Sequence, residues 1–361
     1  MWAIVLALAA CDSSVGETFR SGERLRLQLW DSGGVRVPLQ AGFYGPRLFD
    51  RARQESCSLY VYFDSGTNGV PTIRCLPDGQ ARDVYTDAAC TQHAAIRPSR
   101  SCDPCYAVSP DPAVPVLRLT GPSVATRYYE KRTDGVSTQC AGPYDGSVDD
   151  VVGISADEFA TVQLTEPQGD GPVQWTYFES ADGLHVIDRS GYVPSVQRSC
   201  SWEAREDAAI CFEPATQQTV VTATPTSTGR LRTYRADDEL LSFLTFDAAL
   251  AVECAFIAVD DVTWRCIPSQ APLFRSAFSD SLCTTPNKVI VTGRNGQSLI
   301  PLGVDDGRIW TTTTIGPAYD LDASGQCQVL LFRGDTTTEY LGPGVDVSDD
   351  YVGVTVEVDP S

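Results

Sequence analysis

A long internal duplication constrains this chain more than any other feature of its sequence. The first copy contains Ile73-Arg74-Cys75-Leu76-Pro77 and then Tyr85-Thr86-Asp87. The second copy contains Trp264-Arg265-Cys266-Ile267-Pro268 and then Phe278-Ser279-Asp280. Corresponding segments lie roughly 190 residues apart in both cases, as expected for a repeated block. The chain is therefore predicted to be built from repeated structural units.

Shorter motifs divide the duplicated blocks into two types of unit. A type A unit has an aromatic-Asp pair ahead of a cysteine, as in Phe49-Asp50 before Cys57 and Phe246-Asp247 before Cys254. A third, more diverged copy of this motif series runs from Trp175 to Pro214. One repeat-built domain over 22–361 is predicted, with type A units at 22–80, 158–214 and 217–270, type B units at 81–157 and 271–349, and a closing strand at 351–358.

The hydrophobic pattern within the units favours strands. Leu25, Leu27 and Leu29 alternate with polar residues, and the valines from Val352 to Val358 alternate in the same way. This period of two is typical of half-buried strands, and the 29 Gly and 23 Pro residues supply frequent turns. We predict an all-β fold, a small β-propeller of about five blades. Tandem β-sandwich domains are the alternative.

The two chain ends indicate how such a ring closes. The second and third type A units each begin with an extra strand, at 159–164 and 219–224, whereas the first begins directly at Arg24–Trp30. The segment Tyr351–Val358 is left without a partner at the other end of the chain. Pairing these two strands would remove two exposed sheet edges, so we predict that the C-terminal strand closes the ring.

The N-terminus carries an apolar run, Trp2–Leu8, that ends in Leu8-Ala9-Ala10-Cys11. This motif resembles the lipobox of bacterial lipoproteins, whose cysteine is lipidated and becomes the first residue of the mature chain. The resemblance implies a signal segment at 1–11, a tether at 12–21, a membrane anchor through lipid on Cys11, and export to the bacterial cell envelope. The alternative is that residues 1–11 form a buried strand or helix of a cytoplasmic protein.

Cysteine parity agrees with export, because disulfides persist only in oxidising compartments. The chain has 13 Cys, and setting Cys11 aside leaves an even set. Local context pairs Cys57 with Cys75, Cys200 with Cys211, and Cys254 with Cys266; Cys283 and Cys327 remain in the C-terminal part, with Cys90 and Cys140 as their counterparts. Cys102 and Cys105 form a C-x-x-C, for which we predict a structural disulfide because the flanking residues indicate a loop leading into a strand, not a redox helix.

Composition and motifs exclude several functions. The formal net charge of −20 disfavours a nucleic-acid partner, and no nucleophile elbow, zinc-protease motif or phosphate-binding glycine loop occurs, so no cofactor is expected. Asp31-Ser32-Gly33-Gly34 is predicted to be a hairpin turn. Four further carboxylates recur in the repeated motifs, which predicts structural roles for them: Asp50, Asp87, Asp247 and Asp280.

These observations predict a lipid-anchored cell-envelope protein whose domain binds or adheres without catalysis, with a glycan or a protein as its ligand. The alternative is a carbohydrate-active hydrolase that uses paired carboxylates at the axis of a propeller. That chemistry needs two carboxyl groups about 5 to 9.5 Å apart. The 47 Asp and Glu residues offer many pairs, and the sequence alone singles out none.

The lipobox motif makes a direct prediction. The Cys11→Ser variant should lose lipid attachment and leave the membrane fraction, because the thiol is the acceptor of the lipid. Metabolic labelling with a fatty acid, followed by membrane fractionation, measures both effects. A wild-type protein that takes up no label would contradict the lipoprotein assignment.

Overall fold

The structure is a computed structural model that describes residues 19–40, 45–63, 71–77, 81–97, 104–109, 115–133, 138–195, 197–213, 215–260, 262–269, 271, 275–293, 302–305, 308–321, 326–330 and 338–360. The predicted signal segment with Cys11, and most of the predicted tether, lie outside these ranges. Within them, no helix has the length and apolar character needed to span a membrane.

The first A and B units consist of strands joined by turns. The first A unit contains β1 (Leu25–Ser32), β2 (Val35–Pro38), β3 (Leu48–Asp50), β4 (Glu55–Phe63) and β5 (Pro71–Pro77). The first B unit contains β6 (Arg82–Tyr85), β7 (His93–Ile96), β8 (Tyr106–Val108), β9 (Val116–Pro122), β10 (Arg127–Thr133), β11 (Thr138–Asp145) and β12 (Asp149–Ile154). A 3-10 helix, Ala156–Glu158, follows β12.

The remaining units continue in the same way. The second and third A units contain β13 (Thr161–Leu164), β14 (Gln174–Glu179), β15 (His185–Val193), β16 (Arg198–Ser199), β17 (Ser201–Ala204), β18 (Ala209–Phe212), β19 (Thr219–Pro225), β20 (Leu231–Ala236), β21 (Glu239–Asp247), β22 (Val252–Ala258) and β23 (Thr263–Pro268). The second B unit contains β24 (Arg275–Phe278), β25 (Pro286–Gly293), β26 (Leu302–Asp305), β27 (Arg308–Thr314), β28 (Tyr319–Leu321), β29 (Cys327–Val329) and β30 (Thr338–Asp346). A second 3-10 helix, Ser348–Asp350, then leads to β31 (Gly353–Thr355) and β32 (Glu357–Val358).

The prediction of an all-β fold is confirmed. In the described part of the chain, the strands form four antiparallel sheets. Two sheets hold the A units, in the orders β16-β15-β14-β13-β5-β4-β3-β1-β2, with β32 also on β1, and β17-β18-β19-β20-β21-β22-β23-β31. The five-bladed propeller is not confirmed, because the strands form four sheets of 10, 7, 8 and 7 strands and not five blades of about four strands.

Three linking segments connect the A units to one another. In β13, Val162 pairs with Ile73 of β5, whereas Leu164 pairs with Phe178 of β14. In the same way, β19 pairs first with β18 and then with β20. At the C-terminus, β31 pairs with β23 and β32 pairs with β1. The pairings therefore lead from each A unit to the next and, through the C-terminal segment, back to the first.

The predicted pairing of the C-terminal strand with Arg24–Trp30 is observed over its last residues only. Glu357 and Val358 pair with Leu29 and Gln28 of β1. The preceding residues pair with β23 instead, where they cover a sheet edge that would otherwise be exposed. The prediction of one continuous pairing over Tyr351–Val358 was thus too simple.

The apolar cores sit between neighbouring A units. One cluster joins the first and second units, a second joins the second and third, and a third joins the third and first. The third cluster contains Trp30, Leu231, Phe256, Trp264 and Val356, so the C-terminal segment contributes directly to it. Each A unit is consequently stabilised by both of the others.

A buried ion pair anchors the first A unit to the chain that returns from the first B unit. Arg24 Nη2 lies 2.7 Å from Asp50 Oδ2, and Asp50 is 1% exposed. The same Nη2 donates to the carbonyl oxygen of Glu158 in the 3-10 helix at 2.8 Å. In the third unit, Arg230 pairs with Asp247 and donates to the carbonyl oxygen of Asp350. The prediction of structural roles for Asp50 and Asp247 is confirmed.

The strand register makes a prediction about closure. Truncation after Asp350 removes β31 and β32, so the ladders on β23 and β1 should both lose amide protection. Removal of Val356, which is 8% exposed, should by itself cost about 1.5 kcal/mol or more of the free energy of unfolding. Hydrogen exchange over Leu25–Leu29 and Thr263–Arg265 measures the effect. Unchanged protection at Leu25–Leu29 would contradict closure.

Candidate functional site

The two B units have one topology, which allows a comparison within the chain. Their sheets run in the orders β11-β10-β6-β7-β12-β9-β8 and β29-β28-β24-β25-β30-β27-β26. Tyr85 pairs with Tyr129 in the first unit, and Phe278 pairs with Tyr319 in the second. These registers assign to each residue of one unit its counterpart in the other. Residues that differ between the units are not required by the shared fold.

Asp87 and Asp280 are shared, and each closes a turn. Asp87 Oδ1 accepts hydrogen bonds from the backbone N–H groups of Thr91 (2.9 Å) and Gln92 (2.7 Å). Asp280 receives equivalent bonds from residues 284 and 285. Although desolvation alone would raise it, these backbone N–H bonds lower the pKa of Asp280 to about 2. Both aspartates have the structural role predicted for them.

A cleft of about 520 Å³ opens on the first B unit. It is lined by Ala81, Arg82, Asp83, Tyr85, Val108, Glu130 and Lys131. Glu130 and Lys131 both line the cleft, although adjacent residues of a strand normally point to opposite faces. The pairing of β10 with β11 shifts register just before them, between Tyr128 and Glu130.

Asp83 forms the half-buried floor of the cleft. Its Oδ1 lies 3.0 Å from Nδ1 of His93, and its Oδ2 lies 3.5 Å from the hydroxyl of Tyr85. The rings of Tyr85 and His93 lie 4.8 Å apart. Desolvation by burial raises the pKa of Asp83 above its usual range, against the opposing effect of hydrogen bonds from His93, Ser109 and Tyr85.

Arg82, which is exposed, and Glu130, which is half-buried, form the rim of the cleft. The guanidinium Nη1 of Arg82 lies 3.0 Å from Glu130 Oε1, and Nη2 donates to the hydroxyl of Tyr128 at 3.2 Å. The guanidinium carbon also lies 5.7 Å from the centre of the Tyr128 ring. These contacts hold a cation and a carboxylate side by side at the opening.

By residue type at the equivalent register positions, the second B unit retains the rim pair and differs at the floor. The register gives Arg275 and Asp320 as the counterparts of Arg82 and Glu130. Four other positions of the first unit have counterparts of different chemistry: Asp83 becomes Ser276, Tyr85 becomes Phe278, His93 becomes Pro286 and Lys131 becomes Leu321. The polar floor is therefore a property of the first unit alone.

A second cleft, of about 560 Å³, lies where the first and third A units meet the C-terminal segment. Asp31 and Glu357 both line it, and both are exposed. The general acid of a glycosidase is a carboxyl group whose pKa its surroundings raise, so this pair is a poor candidate for that chemistry. Asp31 also accepts a hydrogen bond from Gly34 N at 3.0 Å between β1 and β2. The predicted hairpin turn is confirmed.

Five of the predicted cysteine pairs are disulfides: Cys57–Cys75, Cys90–Cys140, Cys200–Cys211, Cys254–Cys266 and Cys283–Cys327. Cys105 is also disulfide-bonded, and Cys102 lies outside the described ranges. Multiple disulfides indicate an exported protein. Across the part of the chain that the structure describes, no three His, Cys, Asp or Glu side chains are grouped as a metal site.

Comparison with known proteins gives one match. The model of a family of unknown function, DUF7481, matches residues 130–349, which is more than half of the chain. The chain belongs to the DUF7481 family. No curated protein and no solved structure matches it.

The DUF7481 match covers the second and third A units and the second B unit, and it begins at Glu130. Of the cleft residues, Glu130 and Lys131 fall within it, whereas Asp83 and Tyr85 do not. The motifs that the sequence analysis selected were the repeated ones, so it missed this cleft. Aligning the two B units and asking where a polar residue occurs once would have found it.

The comparison between the B units predicts that the floor of the cleft is not needed for folding. A variant carrying the second unit's residues, Asp83→Ser, Tyr85→Phe and Lys131→Leu, should keep its free energy of unfolding within about 1 kcal/mol of wild type.

Asp87→Ala should lower thermal stability, because it leaves two turn N–H groups without their acceptor. Thermal unfolding of both variants measures this. Loss of folding in the triple variant would make the cluster structural.

Proposed function

We propose that this protein is a lipid-anchored bacterial envelope protein that binds a glycan in the cleft of the first B unit and does not alter it chemically. The anchor is the lipid on Cys11. The first eight residues of the tether, 12–19, would hold the folded body within about 30 Å of the membrane. The disulfides agree with an exported location.

The observation that carries the proposal is the polar floor found in one B unit only. Asp83, Tyr85 and His93 form a hydrogen-bonded cluster beside an open cleft. The second unit folds in the same topology with Ser276, Phe278 and Pro286 at these positions. Polar residues that a fold does not require, gathered at a cleft, are typical of a binding site.

The chemistry of the cleft suits sugar hydroxyl groups. Each hydroxyl both donates and accepts hydrogen bonds. The carboxylates of Asp83 and Glu130 are acceptors, and the cations of Arg82 and Lys131 are donors. Hydrogen bonds with a charged partner are stronger than neutral ones. The cleft, of about 520 Å³, is large enough to admit part of a larger glycan.

A glycoside hydrolase is the second candidate, and one observation favours it. Asp83 and Glu130 line one cleft, and the pKa of Asp83 is raised by burial. A general acid of a glycosidase has this property. In that function, Asp83 would donate the proton to the leaving oxygen and Glu130 would act as base or nucleophile.

A glycan array with a parallel assay for reducing ends tests the proposal. The soluble Cys11→Ser protein should bind a subset of glycans and release no reducing ends. Asp83→Asn should weaken that binding about tenfold, which corresponds to about 1.4 kcal/mol. Asp145→Asn is the matched control, because Asp145 is an exposed carboxylate of the same unit that pairs with Arg127.

Two outcomes would contradict the proposal. Absence of binding to every glycan would remove the glycan-binding function. Release of reducing ends that disappears in Asp83→Asn and persists in Asp145→Asn would favour the hydrolase.

A further inference from the structure

The charges around the cleft of the first B unit point to a more specific ligand, and this inference rests on the function proposed above. We infer that the ligand is an acidic saccharide whose carboxylate group is bound by Lys131 at the rim of the cleft.

Both carboxylates of the cleft already have partners in the protein. Glu130 is paired with Arg82 at 3.0 Å. Asp83 accepts hydrogen bonds from His93, Ser109 and Tyr85. Neither side chain requires a cationic ligand to balance its charge.

Lys131 is the charge in the cleft that the described residues leave unbalanced. Its side chain is exposed, and among the described residues that side chain has no hydrogen-bond or ion-pair partner. Arg82, the other cation, is engaged by Glu130 and Tyr128. A ligand that complements this cleft therefore brings a negative charge to the ammonium group.

The second B unit shows that the lysine is not required at this position by the fold. Lys131 pairs with Cys140 across the ladder, and Leu321 pairs with Cys327 in the equivalent place. Both cysteines form the equivalent disulfide of their units. The sequence has a leucine at this register position in the second unit, so the shared fold does not require a lysine there.

The net charge of the protein opposes an anionic ligand, so binding of one would depend on a local cation. At −20, the chain repels anions over a distance of several ångströms. An anionic ligand needs a local cation to overcome that repulsion, whereas a neutral glycan does not. Lys131 is one of only two lysines in the sequence, Lys288 being the other.

Titration calorimetry with matched saccharides tests the inference. The probes are tetragalacturonate, its fully methyl-esterified form, which has the same ring skeleton without charge, and a sulfated galactose tetrasaccharide. The proteins are the full Cys11→Ser chain and, on that background, Lys131→Leu, Lys131→Arg and Arg127→Ala. Arg127 is the matched control, because it is an exposed cation of β10 paired with Asp145 outside the cleft.

The acid should bind at least tenfold more tightly than the ester, and the difference should shrink at higher salt. Lys131→Leu should abolish the difference, Lys131→Arg should keep most of it, and Arg127→Ala should leave it unchanged. Thermal unfolding confirms that Lys131→Leu is folded, as its counterpart Leu321 leads us to expect.

Each of the following outcomes would contradict a named part of the inference or of the proposed function. Equal binding of acid and ester, weakened by Asp83→Asn, overturns the inference and leaves the glycan-binding function standing. Preference for the sulfated probe over the uronate overturns the assignment of a carboxylate. Failure of all three probes, together with an empty glycan array, overturns the inference and the proposed function together.

Discussion

The arrangement of the A units depends on strands that two units share. In β13 the first residues complete the sheet edge of the first unit, and the following residues begin the sheet of the second. The strand β19 does the same between the second and third units. Because a β-strand edge is a row of unpaired backbone groups, a unit that lacked its linking strand would expose one. The C-terminal segment β31–β32 is the third link, and the packing of all three apolar clusters follows from the three together.

Disulfides and ion pairs within single A units support the linking segments. The Cys57–Cys75 bond joins β4 and β5, and the Cys254–Cys266 bond joins β22 and β23. Each bond therefore stabilises the strand against which a linking segment pairs. The Arg24–Asp50 and Arg230–Asp247 pairs then hold the returning chain beside that segment. No B unit follows the second A unit, and this unit lacks the ion pair. By register, Gln174 stands where the other A units have the arginine, and Gly191 stands where they have the aspartate.

The sequence pattern predicted the all-β class, five cysteine pairs and the contact of the last residues with β1, because those depend on local periodicity and repetition. It failed where the environment of a strand depends on distant residues. The alternation in β1 indicated a half-buried strand, yet Arg26 is 9% exposed and Gln28 is 5% exposed. The last residues of the chain and the side chain of Ser56 cover Gln28. Nothing near position 28 in the sequence signals those partners.

The cleft could not be predicted from the sequence for a related reason. Repetition identified the aspartates that close turns, and those residues carry no site chemistry. Nothing in the sequence distinguishes Asp83 and His93, which lie on two short strands. Only the pairing of those strands brings Oδ1 of Asp83 to 3.0 Å from Nδ1 of His93. Duplication supplied a second copy in which the same ladder lacks them. The difference between the copies, and not their likeness, marks the candidate site.

Because the last linking segment, β31–β32, follows all the other strands in the chain, it fixes the order in which the contacts between A units can form. A chain that crosses a membrane from its N-terminus presents β1 first and β32 last. The observed disulfides each join cysteines no more than 50 residues apart, so every one can form as its own unit emerges. The contact between β1 and β32 spans nearly the whole chain and must wait for the end of translocation. In a chain exported in this way, the circuit of A units is completed only after β32 has crossed the membrane.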